Sequence, residues 1–362
     1  MTSAASTLLA SAETALAARD YELAIEVLVG GGADLRGDTR TELRALLDES
    51  WARISMGDLD SAVVRLERAR VLAEASVCDD TDRSEVLYQL GCCRLKAGTV
   101  SNAVRLLTVA LRLCEESPTL SDRLRIDILC WRTRCYRRQR DWDSARADAD
   151  AAIQLGEELN DAARLADAYL QASQIAERTD QLLMARFYVE RALELQREAG
   201  DALAAGKALN NLGGILFLLG ETAAAKDCLT EAFSIALELG NEVDAAYAAS
   251  STAQVLLGGG EADSAEHKAR YALELLEGRA DHVNELGNAK LVLGRALMEQ
   301  GRLDEANDEL THASVSFEQM DSLGHRAAAW LAQGDLAARR GRIEDAAAVY
   351  RRAAEALQDV RF

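Results

Sequence analysis

An alanine returns at nearly constant spacing along the 362 residues of this chain. It stands at Ala24, Ala62, Ala103, Ala145, Ala185, Ala225, Ala265, Ala306 and Ala346, in steps of 38 to 42 residues. A second alanine follows seven residues later in eight of the nine units, at Ala69, Ala110, Ala152, Ala192, Ala232, Ala272, Ala313 and Ala353. Five residues before each first alanine comes a helix breaker, which is Gly57, Gly98, Gly220, Gly260, Gly301 or Gly341, with Arg19, Arg140 and Asp180 in the other three units. A period of this length marks one supersecondary unit that cannot bury its apolar face alone and has to stack on copies of itself.

The unit is plainest between Gly200 and Leu239. Two segments of helical periodicity, Ala202 to Leu219 and Thr222 to Leu239, flank the breaker Gly220-Glu221, which predicts a helical hairpin. Gly91, Gly213, Gly294 and Gly334, twelve residues before the anchor alanine, remove a side chain where the two helices would cross. Second helices are expected to end at glycines such as Gly200 and Gly240, followed by the N-caps Asp201 and Asn241. The first unit is less regular, with the run Gly30-Gly31-Gly32 and a loop through Gly37-Asp38, as a terminal capping repeat would be. Trp51 and Trp330, near opposite ends, are expected to seal the terminal repeats.

Leu212-Gly213, Gly220, Ala225 and Ala232, and again Leu293-Gly294, Gly301, Leu303, Ala306 and Ala313, resemble the signature of the tetratricopeptide repeat. The resemblance covers about residues 5 to 359, although the period exceeds 34 residues and the terminal proline is missing. Longer repeats of this kind resemble those of Rap- and NprR-like bacterial peptide sensors, kinesin light chains and the sensor ends of bacterial transcription activators. The implied fold is all-α, a right-handed α-solenoid of nine helical-hairpin repeats forming one superhelical domain over 1–362. The repeats span about 5–36, 38–77, 81–117, 119–159, 161–199, 201–239, 242–278, 281–320 and 322–359.

The net charge of −19 leaves direct nucleic-acid binding and anionic membranes without an electrostatic basis. No apolar run is long enough to span a bilayer and no basic leader opens the chain, so a cytoplasmic location is expected. Six of the seven cysteines fall between Cys78 and Cys135 without a C-x-x-C pair or a nearby histidine. They are read as reduced thiols filling small apolar gaps, not as metal ligands. His267, His282, His312 and His325 have no nucleophile at motif spacing and are read as surface residues. Gly258-Gly259-Gly260 is a breaker, with no G-K-[ST] after it. Neither a catalytic site nor a cofactor is expected.

The resemblance places positions −18, −14, −11 and −7 from each anchor on the concave face. In the middle units these are Asp127, Trp131, Arg134 and Arg138; Asp167, Gln171, Gln174 and Arg178; and Lys207, Asn211, Gly214 and Leu218. Amides at Gln171, Gln174, Asn210 and Asn211 suit a peptide main chain, because each carries both a donor and an acceptor. Asn210-Asn211 also resembles the asparagine with which kinesin light chains and related sensors hold a peptide; the alternative is a hydrogen bond to an adjacent helix. The segment 132–140 holds five arginines, either as a solvated face paired with Asp141, Asp143 and Asp148 or as a patch for an acidic peptide end. Trp131 is either a groove platform or core. The expected partner is therefore a protein or peptide, with an acidic or free carboxylate end as one option. The expected role is that of a non-catalytic scaffold or adaptor; the alternative is a peptide-responsive sensor subunit of a regulatory system that lacks its own DNA-binding domain. Self-association through either terminal repeat is compatible with the sequence, which does not decide it.

Overall fold

The structure is a computed structural model that describes residues 3–75, 77–116, 122–279, 282–319 and 323–358. Among these every regular element is helical. The chain forms two compact units, Met1–Ile175 and Ala176–Phe362.

The first unit holds α1 (Ser3–Ala17), α2 (Tyr21–Gly30), the single turn α3 (Gly32–Leu35), α4 (Thr39–Met56), α5 (Leu59–Ala73), α6 (Asp80–Lys96), α7 (Val100–Glu116), α8 (Asp122–Gln139), α9 (Trp142–Leu159) and most of α10 (Ala162–Arg178). The second unit takes the last turn of α10, then α11 (Leu182–Glu198), α12 (Ala202–Leu218), α13 (Thr222–Glu238), α14 (Glu242–Gly258), α15 (Ala262–Leu275), α16 (Val283–Glu299), α17 (Leu303–Gln319), α18 (Leu323–Arg339) and α19 (Ile343–Gln358). Within each unit successive helices pack as hairpins, α4 with α5, α6 with α7 and α8 with α9, then α12 with α13, α14 with α15, α16 with α17 and α18 with α19. This is an all-α solenoid of repeats.

The small residues do what their spacing predicts. All nine anchor alanines and all eight partners seven residues on are buried. The glycine twelve before the anchor meets a specific neighbour, the large side chain four residues after the anchor: a Cβ on Gly213 would lie 2.6 Å from Leu229 Cγ, and one on Gly294 would lie 2.7 Å from Leu310 Cγ. All nine breakers adopt left-handed backbone, glycine or not, with Arg19 and Arg140 at φ 60° and Asp180 at 59°. Gly200 and Gly240 share it, and the Asp201 and Asn241 side chains then accept from the backbone N–H groups of Ala204 and Asp244 at 3.0 Å. The N-cap of the next helix therefore follows directly on the left-handed glycine that ends its predecessor.

At the amino end α2 stops at Gly30, and Asp38 caps α4 by accepting from Thr41 N–H at 3.0 Å. At the carboxyl end Trp330 is buried on α18 with the Arg352 guanidinium of α19 4.0 Å from its ring centre; Asp359 lies outside the described residues. Trp51 departs from expectation. It stacks on Tyr88 and meets Trp131 edge-on, with ring centres 5.9 and 6.3 Å away, so it belongs to the interior of the first unit and seals no terminal repeat. No described helix is long and apolar enough to cross a membrane.

Candidate functional site

The stripe at −18, −14, −11 and −7 lies on the first helix of each hairpin, and its side chains reach from one first helix to the next. In the first unit that reach is used up internally. The Arg44 guanidinium donates to Asp48 at 2.5 Å and to Glu85 on α6 at 3.2 Å. Arg164 of α10 grips Asp127 of α8 through two bonds of 3.0 Å. Arg134 donates to both oxygens of Asp167 at 2.8 and 2.9 Å and lies 4.7 Å from the centre of the Trp131 ring. Gln171 is buried, donating to Asp167 at 3.1 Å and accepting from Arg137 at 2.8 Å. Burial alone would lower the Arg134 guanidinium, but Asp167 and its other neighbours more than reverse this and hold it above its ordinary value.

The arginine-rich segment is therefore a set of internal ties. Arg132 forms a fork with Asp148 through two bonds of 2.7 Å, and Arg138 donates to the Leu95 carbonyl at 2.9 Å. Of the carboxylates expected to pair with this face, Asp148 does so, and Asp167 of the next repeat joins it; Arg132 and Arg134 are half-buried, while Arg138 and Arg140 stay exposed. The Arg138 bond belongs to a repeating device. Lys96 donates likewise to the Ile54 carbonyl at 2.6 Å and Arg339 to that of Met298 at 2.9 Å. In each case a cation at −7 gives a second hydrogen bond to a last-turn carbonyl of the preceding first helix, one that already accepts from the N–H of the breaker glycine Gly57, Gly98 or Gly301. Trp51 of α4 and Trp131 of α8 meet edge-on, although the whole repeat that holds α6 and α7 separates them in sequence. Most polar stripe side chains of the first unit are thus engaged with one another.

The second unit differs. On α12, Lys207 lies 3.4 Å from Asp244 of α14, the Arg164–Asp127 contact with the charges exchanged. Beyond it the stripe of α12 and α14 is neutral, whereas on α16 and α18 Arg339 pairs with Glu299 and Asp335 accepts from Tyr350. Asn211 and Gln254 make no hydrogen bond to any described residue, and neither does Asn210, which is 6% exposed and whose Oδ1 is buried without a partner. The expected alternative for these amides, a bond to an adjacent helix, is thus absent among the described residues. Asn210, Gly206 and Lys207 of α12, Ile235 of α13 and Tyr247 and Ala248 of α14 enclose a small, mainly apolar pocket at the junction of the three helices. Arg178 in the last turn of α10 is exposed and has no hydrogen-bonded or ion-paired partner among the described residues. Of the expected residues of the first unit, Gln174 and Trp131 have no side-chain hydrogen bond among the described residues, and Trp131 makes ring contacts instead.

Several charged groups face the upper part of this hollow. Tyr247 is 39% exposed, yet burial and then the carboxylates of Glu177 and Glu285 raise its hydroxyl above the ordinary value. His325 is half-buried beside Phe317, ring centres 5.1 Å apart, and is lowered by burial and then by Arg178. It is not the surface residue expected, and His282 is half-buried too; His267 and His312 are exposed. Groups on the ends of α10, α14, α16 and α18 thus act on one another, which requires the first helices of the second unit to curve around a common interior. Sequence reasoning overlooked Tyr247, Gln254 and Arg295, although each stands at the same registers in later repeats.

The cysteines offer little chemistry. Six are buried and Cys228 is half-buried, and burial pushes Cys93 up to about 11 and Cys135 up to about 12. Among the described residues no three His, Cys, Asp or Glu side chains are grouped so as to hold a metal ion.

Known proteins share this architecture. The tetratricopeptide repeat family model matches residues 166–198 and 206–238. No curated protein matches the sequence significantly. Among solved structures, a Rap protein complexed with competence and sporulation factor is 16% identical, with 99% of each chain covered and a TM-score of 0.67. The apo form of the quorum sensor NprR from B. thuringiensis is 12% identical over 97% of this chain and 98% of its own, with a TM-score of 0.68. A signal-transduction ATPase with numerous domains from Pyrococcus horikoshii, which carries a tetratricopeptide repeat sensor, is 14% identical over 94% of this chain and 53% of its own, at 0.63. In sequence signature and in fold the chain resembles the tetratricopeptide-repeat proteins of the Rap and NprR kind.

Proposed function

We propose that the chain is a non-catalytic binding module that takes an extended peptide, or an extended segment of a protein, along the first helices of its second unit. The observation that carries this reading is the contrast between two faces of equal register. In the first unit the polar side chains are spent on one another, while in the second Asn211, Gln254 and Arg178 face the hollow without partners. Unpaired amides in a concave surface suit a peptide backbone, because each can accept from an N–H and donate to a C=O. Lys207, Asn210 and Tyr247, around the small pocket, are placed to take a side chain of the same ligand. Trp131, Arg134, Arg138 and Gln171 of the first unit act as structural ties. The solved Rap conjugation gene regulator of the plasmid pLS20, similar in fold and in complex with the Phr* peptide, supports this reading. The sensor alternative uses the same groove.

Selection of displayed random peptides on the immobilised full chain tests the proposal. The wild type should enrich a sequence family, and Asn211→Ala combined with Gln254→Ala should lose it with unchanged helical circular dichroism. Failure to enrich, or equal enrichment by the double variant, overturns it.

A further inference from the structure

Acidic residues outnumber basic ones by 60 to 41, so a guanidinium brought out of water in this chain has carboxylates within easy reach. Arg44, Arg132, Arg134 and Arg164 each hold one, and although burial alone would lower them, their carboxylates keep all four above the ordinary value. Arg295 does not follow them. It stands on α16 at register −11, the place Arg134 takes on α8, and it is half-buried. No hydrogen bond or ion pair joins it to any described residue. Burial pulls it below its ordinary value, and the one charge that opposes this is Asp335, at the same register on α18. Asp335 is already engaged, since its Oδ1 accepts from the Tyr350 hydroxyl at 2.6 Å.

A guanidinium presents five N–H donors in a planar fork. One that has given up part of its hydration and gained no acceptor costs stability unless something outside the chain supplies the acceptor. The surroundings of Arg295 narrow the choice. Gln254 stands exposed at the same register on α14, the first helix that packs on α16. The upper part of the hollow mixes Arg178 with Glu177 and Glu285, whereas Asp335 is the one charged group acting on Arg295. Arg295 lies seven residues beyond the Tyr247 register, about 10 Å further along the helix direction. A single carboxylate matches the fork in shape and charge. A phosphate, at close to two negative charges, would be repelled by Asp335.

We infer that Arg295 anchors a carboxylate of the peptide ligand, either its free C-terminus or an Asp or Glu side chain, at the lower end of the second unit's hollow. This rests on the peptide-binding reading above and adds the ligand's chemical class and the point at which it is fixed.

Four pools of random synthetic heptapeptides test it on the immobilised full chain: C-terminus free or amidated, each with or without Asp and Glu in the randomised positions. The wild type should bind the pool lacking both kinds of carboxylate at least about tenfold less than the best of the others. Whichever pool retains binding names the source of the carboxylate. Arg295→Gln should erase the difference and Arg295→Lys should keep part of it. Asp335→Asn, which leaves an oxygen for Tyr350, should strengthen binding of the carboxylate-bearing pools. Equal binding of all four pools by the wild type, or a preference that survives Arg295→Gln, overturns the inference while leaving peptide binding in place. Binding of no pool removes both.

Discussion

Gly213 and Gly214 are neighbours on α12, and the structure gives them opposite responses to the same substitution. A Cβ on Gly213 would sit 2.6 Å from Leu229 Cγ and 2.8 Å from its Cδ2, against the roughly 3.5–4.0 Å of a relaxed carbon contact. Leu229 is fully buried and has nowhere to swing, so α12 and α13 must separate by about 1 Å. Overpacking of this kind costs about 1–3 kcal/mol, offset by about 1 kcal/mol of helix propensity when glycine becomes alanine. Gly214→Ala meets nothing within 4 Å and should simply gain about 1 kcal/mol. The two variants should therefore differ by about 2 kcal/mol. A repeat array need not unfold in one step, so the suitable assay is native-state hydrogen exchange of the α12 and α13 amides. There Gly213→Ala should exchange roughly thirtyfold faster than Gly214→Ala. Equal protection in the two variants would refute the close-crossing account of the hairpin.

The left-handed breakers predict that Arg140→Gly raises stability by about 1 kcal/mol, seen as a higher melting temperature, because glycine occupies that conformation without a Cβ penalty. Asp148→Ala should cost about 3–5 kcal/mol by stranding the Arg132 guanidinium, which is only 14% exposed. Replacing both members, Arg132→Met with Asp148→Leu, should recover most of that loss in a urea titration. His325 titrates below its unfolded value of 6.5, so the unfolded chain binds the extra proton. The stability this contributes is complete above pH 6.5 and is lost as pH falls through the folded value. His325→Gln should flatten the decline in melting temperature just below pH 6.5, and an unchanged slope would contradict the assignment.

Period, hairpin and cap were legible in the sequence because each depends on a residue type that does one local thing. Gly213 and Gly294 permit a close crossing, Gly220 and Gly301 reverse the chain, and Ala225 and Ala306 vanish into the interface. The inner face was legible only as polar. Whether Arg134 was a ligand or a tie depended on Asp167, which stands 33 residues away at register −18 of the following repeat. That distance closes only when successive first helices lie side by side. An arginine at −11 followed by an aspartate at −18 of the next unit was the available signal. Trp51 was misplaced for a related reason: its partner Trp131 lies two repeats on, and such contacts depend on the curvature within the first unit. Arg295 shows the converse, since the absence of a partner is visible only when every neighbour is in place.

The most direct measurement is the hydrogen-exchange footprint of a selected peptide on the full chain. Slowed exchange confined to the last turn of α10 and to α12, α14 and α16, with α4, α6 and α8 unchanged, is the result expected of a ligand lying in the second unit's open stripe. Protection centred on α8, or on the second helices α13, α15 and α17, would contradict it.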